Sequence, residues 1–240
     1  MNNIIEYEDG LPPFENFAKI DEASIEELPE LIKGILSKTE IFAIEGPPKS
    51  YKSWMLMDLA LSIASGEKWL GFETTKGRVL YVDFNSQEPD FLERLVKIEK
   101  EKGITQGFDS LAYWNLLGHA ASIDVIVPLI IKKAKRQDYS MIIIDPVYKM
   151  LGERDTESTS DMNEFFDQLD RLAQESGAAI VIDSFLEKLN RAVDTVFTLI
   201  RSRESGTLNV DVAVRSFPPV KNFKLEWQVP LLHRLYLRNS

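Results

Sequence analysis

One stretch, Gly46-Pro-Pro-Lys-Ser-Tyr-Lys-Ser53, limits the folds open to this chain more than any other. It matches the pattern G-x-x-x-x-G-K-[ST] at every fixed position but one. Such a loop works only between a buried strand and the start of a helix, where successive backbone N–H groups and the positive helix end converge on phosphate. The flanks have that form. Ile41-Phe-Ala-Ile44 reads as a short buried strand, and Trp54 to Ala64 is apolar almost all round, as a helix buried on most sides must be. Gly46, Pro47, Pro48, Lys49, Ser50, Tyr51, Lys52 and Ser53 are therefore expected to wrap a nucleotide, with ATP and Mg2+ as the cofactors. Lys52 is expected to bridge the β- and γ-phosphates, and the Ser53 hydroxyl to take a magnesium position. The exception is Tyr51, where the pattern has glycine. A side chain there either points outward or stacks on the nucleotide, and it narrows the backbone geometry.

A second signature supports the first. Met141-Ile-Ile-Ile-Asp145 is a continuous apolar strand closed by an acid, which suits magnesium held directly or through water. Between and beyond the two motifs, strands and helices alternate: Val79 to Asp83 (strand), Asp90 to Lys102 (helix), Leu111 to Leu116 (strand), then a helix capped by Ser122. After Asp145 come a polar loop from Gly152 to Ser160, a helix from Asp161 to Ser176 that stops at Gly177, and a strand from Ala178 to Ile182. Val193 to Leu237 reads as three or four strands, antiparallel to one another, with no long helix. The expected fold is α/β: a mainly parallel core sheet flanked by helices, with an antiparallel C-terminal extension. Residues 1–38 read as an entry arm with one amphipathic helix, Ile25 to Leu36, and residues 39–240 as the nucleotide-binding domain.

Composition narrows the partners. The 240 residues carry 28 basic and 38 acidic side chains, a net charge of −10. A broad nucleic-acid-binding face is usually basic, so contact with single-stranded DNA is confined to local loops or a ring of subunits. With no cysteine, disulfides and thiolate metal sites are excluded, and with only His119 and His233 a histidine-built metal centre is not expected. No window approaches the roughly 18 apolar residues that span a bilayer. The acidic start lacks the basic region of a signal peptide, so a cytoplasmic protein with no membrane partner is expected.

Taken together, GPPKSYKSWMLMDLALSIASGEKWLG, RVLYVDFNSQEPDFLERL, IIIDPVYKMLG and VRSFPPVKNFKLEW resemble the RepA-like ATPases of the RecA superfamily. These include plasmid and phage hexameric helicases and primase-linked proteins. The resemblance runs from about Leu28 to Leu232. It implies a RecA-like P-loop fold, a homo-oligomer (most often a hexamer), Lys52 and Ser53 on phosphate and magnesium, and Asp145 as the second acid. It also implies a water-activating glutamate at the end of the second core strand. Asn85 stands at that position, and an amide cannot take a proton; Asp83 and Glu88 lie nearby. The histidine pair that follows the fifth core strand in the family is absent here. The DNA-contacting loop after Ile182 is shorter by roughly fifteen residues.

Arg191, Arg201 and Arg203 fall near the positions from which a RecA-like subunit reaches its neighbour's nucleotide, and each also reads as a surface arginine beside a strand. Tyr148 and Lys149 are weaker candidates for the site. His119 reads as a loop residue, and Trp54, Trp69, Trp114 and Trp227 as packing groups. Two functions stay open at this point: a ring-forming ATPase acting on DNA, and a nucleotide-binding assembly or regulatory module with weak hydrolysis or none. A small-molecule kinase on the same loop is disfavoured, because no acceptor motif or lid arginines are evident.

Overall fold

The computed structural model describes residue 18 and residues 27–184, 192–204 and 206–235. The chain opens on a two-stranded antiparallel hairpin, β1 (Glu30–Ile32) and β2 (Leu36–Ser37). It continues as β3 (Ile41–Glu45), α1 (Lys52–Ser65), β4 (Val79–Asp83), α2 (Glu88–Lys102), β5 (Leu111–Asn115), α3 (Ile123–Ala134), β6 (Met141–Asp145), α4 (Thr159–Ser176) and β7 (Ala179–Ser184). Four strands complete it: β8 (Thr195–Arg201), β9 (Thr207–Val214), β10 (Phe223–Gln228) and β11 (Leu231–Leu235).

Nine strands form one sheet in the order β11-β10-β9-β8-β3-β7-β6-β4-β5. From β8 to β5 every neighbour pairs in parallel, and β8 to β11 pair antiparallel. The expected α/β class with an antiparallel extension is what forms. One refinement is that β8 joins β3 in parallel before the direction alternates. The alternation of side chains along β3 shows why helices cover both faces. Phe42 and Ile44 enter the core under α1, whereas Ile41 and Ala43 enter the core under α3 and α4. All five residues of β3, β4 and β6 are buried, so these strands read as unbroken apolar runs ending in an acid.

The amphipathic helix expected over Ile25 to Leu36 does not form; the described part of that segment is the β1–β2 hairpin. Leu31, Ile32, Ile35 and Leu36 do sit at helical spacing, and all four are at most 2 % exposed. Their burial comes from tertiary pairing instead. Gly34 turns the chain at φ 70, and the Lys33 and Thr75 N–H groups donate to Glu73 O and Leu31 O. Pro29, with no N–H and a fixed φ, sits just before β1. Leu31, Ile32, Ile35 and Leu36 of the hairpin pack into the main core.

Candidate functional site

The parallel register delivers three acids to the carboxyl end of the sheet. Asp83 pairs with Asp145 across β4 and β6, and the β6–β7 ladder runs on to place Asp183 beside Asp145. The next strand over, β3, opens at Glu45 into the loop Gly46 to Ser53. Gly46 is required there by close approach, since a Cβ on it would lie 2.9 Å from the Leu199 Cβ and 3.2 Å from the Leu199 carbonyl. Lys49 and Tyr51 take left-handed conformations, φ 62 and 65, which curl the chain as in the concave backbone nests that bind anions. The Ser50 hydroxyl donates to the Pro47 carbonyl at 2.8 Å. The Lys52 ammonium folds into the same curl. It donates to Gly46 O at 2.9 Å and to Pro47 O at 3.2 Å, and lies 3.5 Å from an Asp183 oxygen.

Tyr51 answers the question its position raises. A left-handed conformation costs a residue with a Cβ about 1–2 kcal/mol. Its ring stacks on Trp227 of β10, centroids 4.4 Å apart and planes 14° from parallel, with Trp54 packed 5.3 Å from the same indole. A stacked aromatic pair contributes about 0.5–1.5 kcal/mol beyond its buried area, enough to offset most of that strain. The antiparallel extension meets the loop at a second point. Arg201, at the end of β8, donates to the Pro48 carbonyl at 2.7 Å. That bond ties Arg201 to its own loop. Arg203 is exposed beyond β8, and Arg191 lies outside the described residues, as does the loop 185–191.

Asp145 is buried at the centre of the row. Burial pushes its carboxyl up to about 8; the neighbouring charge of Asp183 adds to the shift, and hydrogen bonds from Tyr81 and Ser53 oppose it. The Tyr81 hydroxyl donates to Asp145 Oδ2 at 2.7 Å, and its own ionisation is pushed well up by burial and by that acid. Burial also raises Asp183, against the pull of Lys52. Asp83 is spoken for: its Oδ1 accepts the Asn85 and Ser86 N–H groups at 2.8 and 3.0 Å, closing the turn after β4.

A cleft of about 700 Å³ lies over this end, lined by the loop from Pro48 to Trp54 and by Asn85, Arg94, Asp145, Pro146, Tyr148 and Asp183. Lys52, Ser53, Asn85 and Asp145 thus line one space, and Tyr148 joins them. Asp83 and Glu88 do not line it, while Lys149 packs 5.4 Å from the Tyr148 ring. His119 is an exposed turn residue. Of the tryptophans only Trp69 is fully buried; Trp54 and Trp227 are half-buried beside the loop. Asp183 and Arg94 were missed by sequence reasoning. Asp183 closes the apolar run Ala178 to Ile182 just as Asp145 closes its own, so the signal was present. Arg94 reaches the cleft from α2 with its guanidinium 5.5 Å from the Trp54 ring, and no local pattern marks it.

The residues present fit magnesium and a nucleotide. Ser53 supplies a hydroxyl beside the buried Asp145 carboxyl, and the loop supplies N–H groups and an ammonium. Among the described residues no group of three or more acids, histidines or cysteines is set to hold a metal alone. Magnesium sites of this kind take one or two protein oxygens and complete the shell with phosphate and water. A family model described as an AAA domain matches residues 9–189. No curated protein matches the chain.

If the Trp227 ring props the loop, Trp227→Ala should weaken nucleotide binding by roughly 2- to 10-fold, the value of one aromatic stack. In a Tyr51→Gly background, where the strain is gone, the same change should do little. Calorimetry with ADP and magnesium measures both, and equal losses in the two backgrounds would refute the prop. A second expectation follows from Asp145. Its folded pKa lies above its unfolded value of 3.8, so its contribution to stability is complete below about pH 4 and is lost as pH rises through about 8. Thermal melts of the nucleotide-free protein should show Asp145→Asn losing less stability than the parent over that range; parallel curves would contradict it.

Proposed function

From a chain that belongs to the AAA domain family, and so carries a nucleotide-binding P-loop ATPase domain, we propose a RepA-like, ring-forming ATPase that acts on single-stranded DNA in replication or a mobile element and hydrolyses ATP slowly. The observation that carries this reading is the cleft itself. It gathers Lys52, Ser53 and Asp145 for phosphate and magnesium, and presents an amide, Asn85, where a water-activating carboxylate belongs.

Each group has a definable task. The curl Gly46 to Ser53 orients the β- and γ-phosphates, and Lys52 leaves its contacts with Gly46 O and Pro47 O to neutralise them. Bound magnesium would be held by Ser53 and Asp145 and would offset charge on the phosphate oxygens. Asp183 stays beside Lys52 and orients it. Arg94 faces the same space and supplies a further cation. Hydrolysis adds a water oxygen to the γ-phosphorus as the bond to ADP breaks, and the water's proton must go to a base. The Asn85 carbonyl can accept a hydrogen bond and aim the water but cannot receive that proton. Losing a positioned base typically costs about 10²–10⁴-fold in rate. The alternative, a nucleotide-binding assembly or regulatory module with weak or no hydrolysis and no helicase activity, draws on the same amide and on the net charge of −10.

Steady-state assays with and without single-stranded DNA test the reading. Slow turnover in the parent, abolished in Lys52→Ala and raised in Asn85→Glu, is the expected result. Brisk parent turnover unaffected by Asn85→Glu would show that another group supplies the base. The ring is tested by mass. Light scattering with ATP and magnesium should report an oligomer, most simply a hexamer, and a monomer under those conditions would remove the ring from the proposal.

A further inference from the structure

We propose that a second cleft, between the edge strand β5 and helix α3, binds single-stranded nucleic acid. It lies at the far edge of the sheet, where β5 pairs with β4 alone, and encloses about 580 Å³. Its walls combine the half-buried Trp114 with Lys132, Lys133 and Arg136, and no carboxylate lines it. That inverts the character of the chain. Against a net charge of −10, the five residues Lys132 to Arg136 carry four cations. Lys135 is taken by Glu175 at 2.8 Å. Lys132, Lys133 and Arg136 form no salt bridge among the described residues and are exposed.

The Trp114 indole makes this more than a charged surface. Trp114 is half-buried, and Ala112, two residues earlier on the same face of β5, is too small to cover its flank. The Lys133 ammonium sits 4.6 Å from the Trp114 ring centroid, and the Arg78 guanidinium 5.6 Å from the Tyr139 ring. A base can stack on the indole while the ammonium moves a short way to meet the adjoining phosphate, so one side-chain pair serves both halves of a nucleotide. Rings set among backbone-tracking cations are how single strands are held without sequence preference. A duplex keeps its base faces stacked inside and cannot offer them. An acidic peptide could use the cations and the free strand edge but gains little from Trp114.

The proposal rests on the reading of the chain as an ATPase that works on single strands, and the two can fail separately. The experiment is fluorescence anisotropy of a labelled oligothymidylate with the full chain. Parent binding should weaken roughly twenty-fold between 50 and 200 mM salt, the effect of about 0.7 counterion per phosphate for three contacts. The triple variant Lys132→Glu, Lys133→Glu, Arg136→Glu should lose most of that binding and its salt dependence. Trp114→Leu should weaken binding while leaving the salt slope as it was. Both variants should keep nucleotide affinity at the phosphate loop, which reports intact folding. Strand binding by the parent that survives the triple change would overturn this site and leave the ATPase reading standing. No strand binding at any salt would overturn both. Equal affinity for duplex, or full competition by polyglutamate, would assign the cleft to polyanions in general and overturn the single-strand proposal.

Discussion

The parallel pairing of β3, β7, β6 and β4 sets everything else in this molecule. Parallel neighbours in register end together; β4 and β6 end in an aspartate, and β7 ends one residue past one. Backbone hydrogen bonds therefore force Asp183, Asp145 and Asp83 side by side, beneath the loop that β3 feeds. Three acids at such spacing do not sit easily at a buried sheet end. The structure answers each one differently. Asp83 is consumed by turn N–H groups, Asp145 takes hydroxyl hydrogen bonds and a raised pKa, and Asp183 leans on the Lys52 ammonium. A magnesium ion held at Ser53 and Asp145 would add positive charge beside this row of acids.

Most of this was legible because it follows from short-range rules. The loop motif between strand and helix, the apolar strand closed by Asp145, and the alternation of elements all depend on residues close in sequence. The parts that were not legible depend on distant partners. Leu31, Ile32, Ile35 and Leu36 have helical spacing, and only their pairing with the chain near Glu73 and Thr75 makes them a hairpin. Tyr51 could be read as outward-facing or nucleotide-facing, because its partner Trp227 lies far along the chain and belongs to a strand with no motif. Arg94 carries no signal of its own; a charged residue on a charged helix becomes part of a site only through where α2 lies.

The phosphate-loop tyrosine is coupled to residues far along the chain. The tyrosine that replaces a loop glycine needs an aromatic neighbour, and the antiparallel extension provides one from β10 while Arg201 fastens the loop from β8. The substitution is therefore a loop geometry held from outside, where glycine would have been self-sufficient.

That external support has a consequence for the order in which the molecule comes into being. Synthesis runs from the N-terminus, so every phosphate-contacting group, together with Asp145 and Asp183, emerges before β8 and β10 exist. A nascent chain at that stage has the whole loop Gly46 to Ser53 but leaves β3 as an open sheet edge and Tyr51 without its stacking partner. The loop thus reaches its final geometry only once β10 is in place, later than the groups it carries.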